Sequence, residues 1–232
     1  MPETKIKSFD GDAFDAYVAQ PPGGHGPGLL VIHEIFGVNA DMRAIADRLA
    51  AKGFLALCPD LFWRQEPALQ LNEDKEGDLD HALRLYKSFD IEAGVRDLLA
   101  SLAHLRQLPA CDGKVGALGY CLGGRLAYLM AARSDVDCAV SYYGVGIDAM
   151  LDEMHDIHMP YLFHFAEQDK FMPPSVRQRI LASFGRNPAI RVAEYMGMDH
   201  GFARKTGPKY NPEAAAKADA LTEEFLAAHL MS

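Results

Sequence analysis

Lys114-Val115-Gly116-Ala117-Leu118-Gly119-Tyr120-Cys121-Leu122-Gly123-Gly124 passes from a short apolar run, through a cysteine bracketed by glycines, into a helical pattern. Residues 114–118 read as a strand and 122–133 as a helix. The pattern Gly-x-Cys-x-Gly between them is that of a nucleophile elbow, which needs this strand-to-helix context. Its physical basis is steric. The nucleophile sits on a sharp, strained turn, and small residues two before and two after it let strand and helix approach closely. Cys121 is thereby presented above the carboxyl edge of a sheet. It also faces a helix N-terminus, whose dipole favours thiolate over thiol. A cysteine is usually a small buried hydrophobe, and Cys58, Cys111 and Cys138, which lack the elbow spacing, are read that way.

Outward from the elbow, strand and helix patterns alternate. Residues 28–33 form an unbroken apolar run, as expected for a strand covered on both faces of a parallel sheet. Residues 39–52 read as a helix with Asn39 as N-cap, an apolar stripe of Met42, Ile45, Ala46 and Leu49, and Gly53 as its stop. Phe54 to Cys58 is the next strand. A polar, irregular stretch from Arg64 to Asp80 is placed to line or cover a site. Helix is expected from Leu83 to Leu108, with a break near Phe89-Asp90. Residues 137–143, 160–165 and 190–196 complete the strands, with a helix from Ser175 to Phe184. The last helix starts at Asn211-Pro212 and should bury Ala218, Leu221, Phe225 and Ala228. Residues 4–9 and 14–19 read as a hairpin turned at Asp10-Gly11. The sum is a doubly wound, mostly parallel α/β sheet with an antiparallel N-terminal hairpin, one domain over residues 1–232.

The bulk properties agree with an ordinary enzyme. The 232 residues are 49% hydrophobic and 24% charged, and 23 basic against 32 acidic side chains leave a net charge of −9. That balance argues against general nucleic-acid binding, although an acidic total can still enclose a basic pocket for an anionic substrate. No stretch nears the roughly 20 apolar residues of a membrane span. Met1-Pro2-Glu3-Thr4-Lys5 shows no leader pattern, and the four cysteines show no paired or finger spacing. A reduced, cytoplasmic protein is expected. His155 and His158 have a weak metal-like spacing without a carboxylate motif beside them, so neither metal nor cofactor is expected.

A cysteine nucleophile needs a histidine and a group to orient it. Asp169 follows the strand 160–165 and His200 follows the strand 190–196, which gives the order nucleophile, acid, histidine. Glu167 and Asp199 compete with Asp169 as the orienting acid. His33 and His164 fall within or at the end of strands and are expected to be packed.

At this point the chain resembles the dienelactone hydrolase family of the α/β-hydrolase fold over nearly its whole length. The resemblance rests on His33-Glu34-Ile35-Phe36-Gly37, Cys58-Pro59-Asp60-Leu61, the elbow Gly119 to Gly124, Tyr142-Tyr143-Gly144, Gln168-Asp169 and His200-Gly201-Phe202-Ala203-Arg204. It implies a triad of Cys121, Asp169 and His200. It also implies that Glu34 contacts the cysteine and helps form the thiolate when substrate arrives, and that Arg204 binds a substrate carboxylate. A second substrate-binding arginine of the family falls on Leu79 here, with Arg84 about one helical turn away as a stand-in.

The expected reaction is hydrolysis of a small ester or lactone through an acyl-thioester, without a cofactor. The amides of Ile35 and Leu122 would bind the oxyanion. Phe36, Trp63, Tyr120 and Tyr143 would line an apolar pocket. The partner is a small molecule rather than nucleic acid or membrane, and the chain is expected to be a monomer or weak homodimer. The competing readings are a general short-chain carboxylesterase, a non-catalytic binding protein on a hydrolase scaffold, and a redox cysteine enzyme. No resolving-cysteine motif supports the last.

Overall fold

The computed structural model describes residues 3–232; Met1 and Pro2, where the leader reading of the N-terminus begins, lie outside the described residues. Among the described residues eight strands form one sheet: β1 (Glu3–Lys7), β2 (Ala13–Ala19), β3 (Gly26–Ile32), β4 (Leu55–Pro59), β5 (Cys111–Tyr120), β6 (Cys138–Tyr142), β7 (Tyr161–Ala166) and β8 (Ile190–Tyr195). Their order is β1-β2-β4-β3-β5-β6-β7-β8. The β1–β2 hairpin runs antiparallel and joins β4 antiparallel, and every pairing from β4 to β8 is parallel. The apolar run around residues 28–33 becomes β3, buried at every position. It sits in the middle of the sheet, with β4 on one side and β5 on the other. The winding reverses between β3 and β5, so a crevice opens beyond their carboxyl ends.

Among the described residues six helices cover the sheet: α1 (Ala40–Ala51), α2 (Asp78–Lys87), α3 (Ile91–Gln107), α4 (Leu122–Arg133), α5 (Pro174–Phe184) and α6 (Pro212–Leu230). Asn39, Asp90 and Asn211 cap α1, α3 and α6 through their side-chain oxygens, each satisfying an amide that the first helical turn leaves open. The break expected near Phe89-Asp90 is the gap between α2 and α3. Two short 3-10 turns, Ile147–Ala149 and Leu151–Asp156, were not apparent in the sequence because they lack an apolar period. Among the described residues no helix is long and apolar enough to cross a membrane.

The buried face of α6 departs from expectation. Ala218 and Phe225 are buried, but Leu221 is half-buried and Ala228 is exposed. Thr222 takes the place of an apolar residue. Its hydroxyl lies 2.7 Å from the Tyr142 hydroxyl and 2.8 Å from His164 Nε2, while His164 Nδ1 meets the Tyr195 hydroxyl at 2.8 Å. A polar side chain is tolerated there because every partner it meets is also polar and satisfied.

His33 and His164 are fully buried. His33 Nδ1 donates to the Glu34 carbonyl at 2.6 Å, and its Nε2 accepts from the Leu61 amide at 3.0 Å. That pair of bonds requires the neutral ring. Burial pushes the His33 imidazole down to about 4 and that of His164 to about 3. Both groups titrate at about 6.5 when unfolded, so the unfolded chain gains protons first as the pH drops. Stability is therefore fully present above about pH 6.5 and is lost as the pH falls toward 4, by several kcal/mol. Urea midpoints measured across that range should fall, with both rings still neutral by nitrogen-15 NMR near pH 5; a flat stability profile would contradict this account.

Candidate active site

The crevice beyond β3 and β5 holds a cavity of about 400 Å³, bordered by Cys121, His200, Glu34, Ile35, Phe36 and Arg204. The elbow explains how Cys121 reaches it. Cys121 adopts φ 55 and ψ −113 as the N-cap of α4, a strained conformation for a side-chain-bearing residue. The Cys121 amide donates to the Tyr142 carbonyl, and its carbonyl accepts from the Arg125 amide. The turn is closed so tightly that a Cβ on Gly119 would lie 1.9 Å from the Gly123 carbonyl oxygen, and one on Gly123 would lie 2.2 Å from that of Ile32. Only glycine satisfies both contacts. Cys121 is the half-buried residue at the apex.

Opposite it, His200 follows β8 on the turn Gly197 to Phe202. Its Nδ1 is 2.8 Å from Asp169 Oδ2, and Asp169 is buried and also accepts from the Phe171 amide at 2.8 Å. Of the three carboxylates weighed as orienting acid, Asp169 alone is bonded to the imidazole. Asp199 accepts from the His200 amide at 2.7 Å and pairs with Lys209 at 3.1 Å, whereas Glu167 accepts from the Gly197 amide at 3.0 Å. Tyr143 and Phe171 each meet the imidazole edge-on at 4.8 Å between centroids, so the ring is held from two sides. Burial alone would pull the imidazolium down. The anionic forms of Cys121 and Asp169 outweigh it, through charge and hydrogen bonding, and push His200 up to about 10. The arrangement thus favours the cationic form of the ring.

Glu34 and Arg204 form the cavity's inner wall. Arg204 Nε lies 3.0 Å from Glu34 Oε2, and Arg204 Nη1 bonds to Glu73. The guanidinium is also stacked over Phe36 at 5.0 Å. Burial acts against its charge, but Glu34 first, then Tyr143, Glu73 and Cys121, hold it positive. Glu34 Oε1 is buried and makes no hydrogen bond among the described residues. A buried carboxylate oxygen without a hydrogen bond is costly. Behind the Glu34–Arg204 pair a second cavity of about 190 Å³ is bordered by Tyr120, Tyr143, Arg48 and Asp219.

The amides of Ile35 and Leu122 donate to no backbone or side-chain acceptor among the described residues. Ile35 borders the cavity, and Leu122 opens α4 directly after Cys121.

Several sequence expectations need correction. Trp63 is not part of the cavity. Its ring is stacked on Phe14 at 5.5 Å, covered by Arg64, and its Nε1 donates to Asp97 at 2.9 Å. Those contacts fasten it to the hairpin side of the sheet. Arg84 is exposed and does not border the cavity. The face of α2 that does so carries Leu79, Leu83 and Tyr86, spaced four and three residues apart, and Arg84 falls off that stripe. Tyr120 and Tyr143 border the second cavity rather than the first. Glu73, Lys170, Phe171 and Lys209, which border the Cys121 cavity, were not singled out from the sequence. Glu73 lies in the polar stretch expected to line a site, but nothing local distinguishes it from its acidic neighbours.

The family model described as the dienelactone hydrolase family matches residues 14–230. The chain belongs to the dienelactone hydrolase family. Among relatives within it, a carboxymethylenebutenolidase of Pseudomonas putida is 44% identical over 222 residues, covering 96% of this chain and 94% of the relative. Carboxymethylenebutenolidase 1 of Cupriavidus pinatubonensis is 37% identical, covering 96% and 95%. A solved Klebsiella pneumoniae chain superposes with a TM-score of 0.86 at 26% identity, covering 97% of each. The dienelactone hydrolase of Anabaena variabilis has a TM-score of 0.73 at 18% identity, covering 99% and 97%, and so shares the fold. As a dienelactone hydrolase family member, the chain is a hydrolase built on an α/β sheet.

Proposed function

We propose that this hydrolase cleaves small esters or lactones through a thioester on Cys121. The observation that carries the reading is the strained apex of Cys121 facing an imidazole anchored to buried Asp169. Relatives named carboxymethylenebutenolidase support a lactone or ester as substrate.

The steps follow from the residues. The Cys121 thiolate attacks the carbonyl carbon, and the π electrons move to the oxygen. The amides of Ile35 and Leu122 donate to that oxyanion. Collapse expels the alkoxide, which takes a proton from the His200 imidazolium. A lactone keeps this alcohol tethered. Water then loses a proton to His200, attacks the thioester and releases the acid, and the thiolate is restored. Asp169 keeps Nδ1 protonated, so that Nε2 carries the exchange. Glu34 takes the thiol proton of resting Cys121 once its pairing with Arg204 loosens, and its unpartnered Oε1 is the acceptor. Neither a metal nor a redox cofactor takes part in these steps.

Rapid mixing with p-nitrophenyl acetate should release a burst of nitrophenol. Acid quenching should then trap an acetyl group on the peptide bearing Cys121. An acetyl group found only on another residue, or turnover without acylation of Cys121, would sink the thioester route.

A further inference from the structure

We propose that Tyr86, backed by Arg125, is a specificity-determining residue of the Cys121 cavity: its phenol donates a hydrogen bond to an oxygen acceptor carried by the acyl part of the substrate. The inference rests on the hydrolase reading above and concerns what that site selects.

The wall that α2 gives the cavity consists of Leu79, Leu83 and Tyr86. The first two are apolar, so the Tyr86 hydroxyl is the polar group of that wall. The residue is half-buried. Burial first, and then the charge of Cys121, raise the titration of the phenol, while Arg125 acts the other way. The hydroxyl is therefore within electrostatic reach of both the nucleophile and a guanidinium. Tyr86 and Cys121 border the same cavity, so a substrate carbonyl at Sγ has the phenol on its α2 side.

Arg125 is fixed by the elbow. Its amide donates to the Cys121 carbonyl at 3.1 Å, in the first turn of α4. Its guanidinium lies against Gly146, where a Cβ would meet Nη1 at 3.2 Å, and the adjacent Val145 borders the cavity. Further along α4, Arg133 is held by Glu92 at 2.9 Å and by Glu153 at 2.6 Å. Among the described residues Arg125 has no such carboxylate partner, and its buried Nε makes no hydrogen bond. A half-buried guanidinium without a counter-charge is costly. Its position beside the phenol gives it a use, since a neighbouring cation strengthens a hydroxyl as a donor.

The leaving oxygen must reach His200 Nε2 to take its proton, and the imidazole is flanked by Tyr143 and Phe171 rather than by Tyr86. The alcohol therefore departs on that side. The other substituent of the carbonyl carbon, the acyl chain, is the one that runs along α2. An acyl oxygen there meets the phenol, whereas a methylene leaves a desolvated hydroxyl without an acceptor.

The test compares p-nitrophenyl butyrate with p-nitrophenyl methoxyacetate. The two share a leaving group and a chain length and differ by one ether oxygen in place of a methylene. Their intrinsic reactivities cancel when the ratio of kcat/KM values is compared between variants. Tyr86→Phe should lower the methoxyacetate-to-butyrate ratio by about fivefold to tenfold. Arg125→Met should lower it by about threefold, and Arg125→Lys should keep most of the wild-type ratio. In the Tyr86→Phe background, Arg125→Met should lower the ratio no further, because it acts through the phenol. Circular dichroism identifies the folded variants. An unchanged or raised ratio in folded Tyr86→Phe would overturn the assignment. An equal loss from Arg125→Met with and without the phenol would overturn the positioning role of Arg125. A wild-type chain that turns over neither ester would instead defeat the hydrolase reading. Dissociation constants of the matching non-reacting p-nitroanilides would then decide the role of Tyr86 by the same ratio.

Discussion

Cys121→Ala should lower kcat/KM for any ester substrate by roughly a thousandfold or more while leaving the fold in place. The loss is large because the proposed reaction passes through a bond to Sγ. Without it, the oxyanion donors and the imidazole can act only on a water molecule that nothing holds at the elbow apex. The fold should survive because alanine keeps the Cβ and removes a single atom from a half-buried position. The strain at φ 55 comes from the backbone and is unchanged by the substitution. Cys111→Ala, half-buried at the start of β5, serves as the matching control and should retain full activity. Steady-state hydrolysis of p-nitrophenyl acetate, with circular dichroism on both variants, provides the measurement. An alanine variant working at the wild-type rate, free of contaminating esterase, would show that Cys121 is not the nucleophile.

The largest effect on stability is expected from Gly123→Ala. The new Cβ would sit 2.2 Å from the Ile32 carbonyl oxygen and 2.6 Å from that of His33. Both are backbone atoms at the end of the central strand β3, which has neighbours on either side and cannot yield. Relief requires α4 to back away from the sheet. That opens the elbow, displaces the Leu122 amide and loosens the packing of Leu126 and Ala127, both fully buried. A loss of about 3 kcal/mol or more is expected, with a fall in Tm of about 10 °C. Gly23→Ala is the contrast, because its Cβ would meet nothing nearer than 3.9 Å. It should change stability by less than about 0.5 kcal/mol. Thermal melts of the two variants against wild type decide the matter; equal melting points would mean that the elbow has slack which its contacts do not suggest.

Much of this molecule was legible as sequence because its features are local. The elbow spacing, the caps at Asn39 and Asn211 and the apolar run of β3 depend on residues within a turn or two of one another. The chain order of Cys121, Asp169 and His200 is equally a matter of counting along strands, since α/β sheets put the ends of parallel strands on one edge. Trp63 shows where such reasoning stops. An aromatic residue in a site-lining stretch has no local mark that says whether it faces a cavity or a hairpin. Here Asp97, 34 positions away, supplied the hydrogen bond that held it outside.

The strand–turn–helix elbow at Cys121 and the α/β frame around it were determined by the sequence alone, because strand, tight turn and helix follow from short-range sterics. Only the tertiary structure decided what surrounds the cysteine. Asp169 rather than Asp199 meets the imidazole, Arg84 falls on the outer side of α2, and Arg204 is bonded to Glu73, 131 positions away. Those outcomes depend on the rotation of a helix and on the meeting of side chains far apart in the chain. Ion pairing is set by distance in space, and the local pattern carries no record of it.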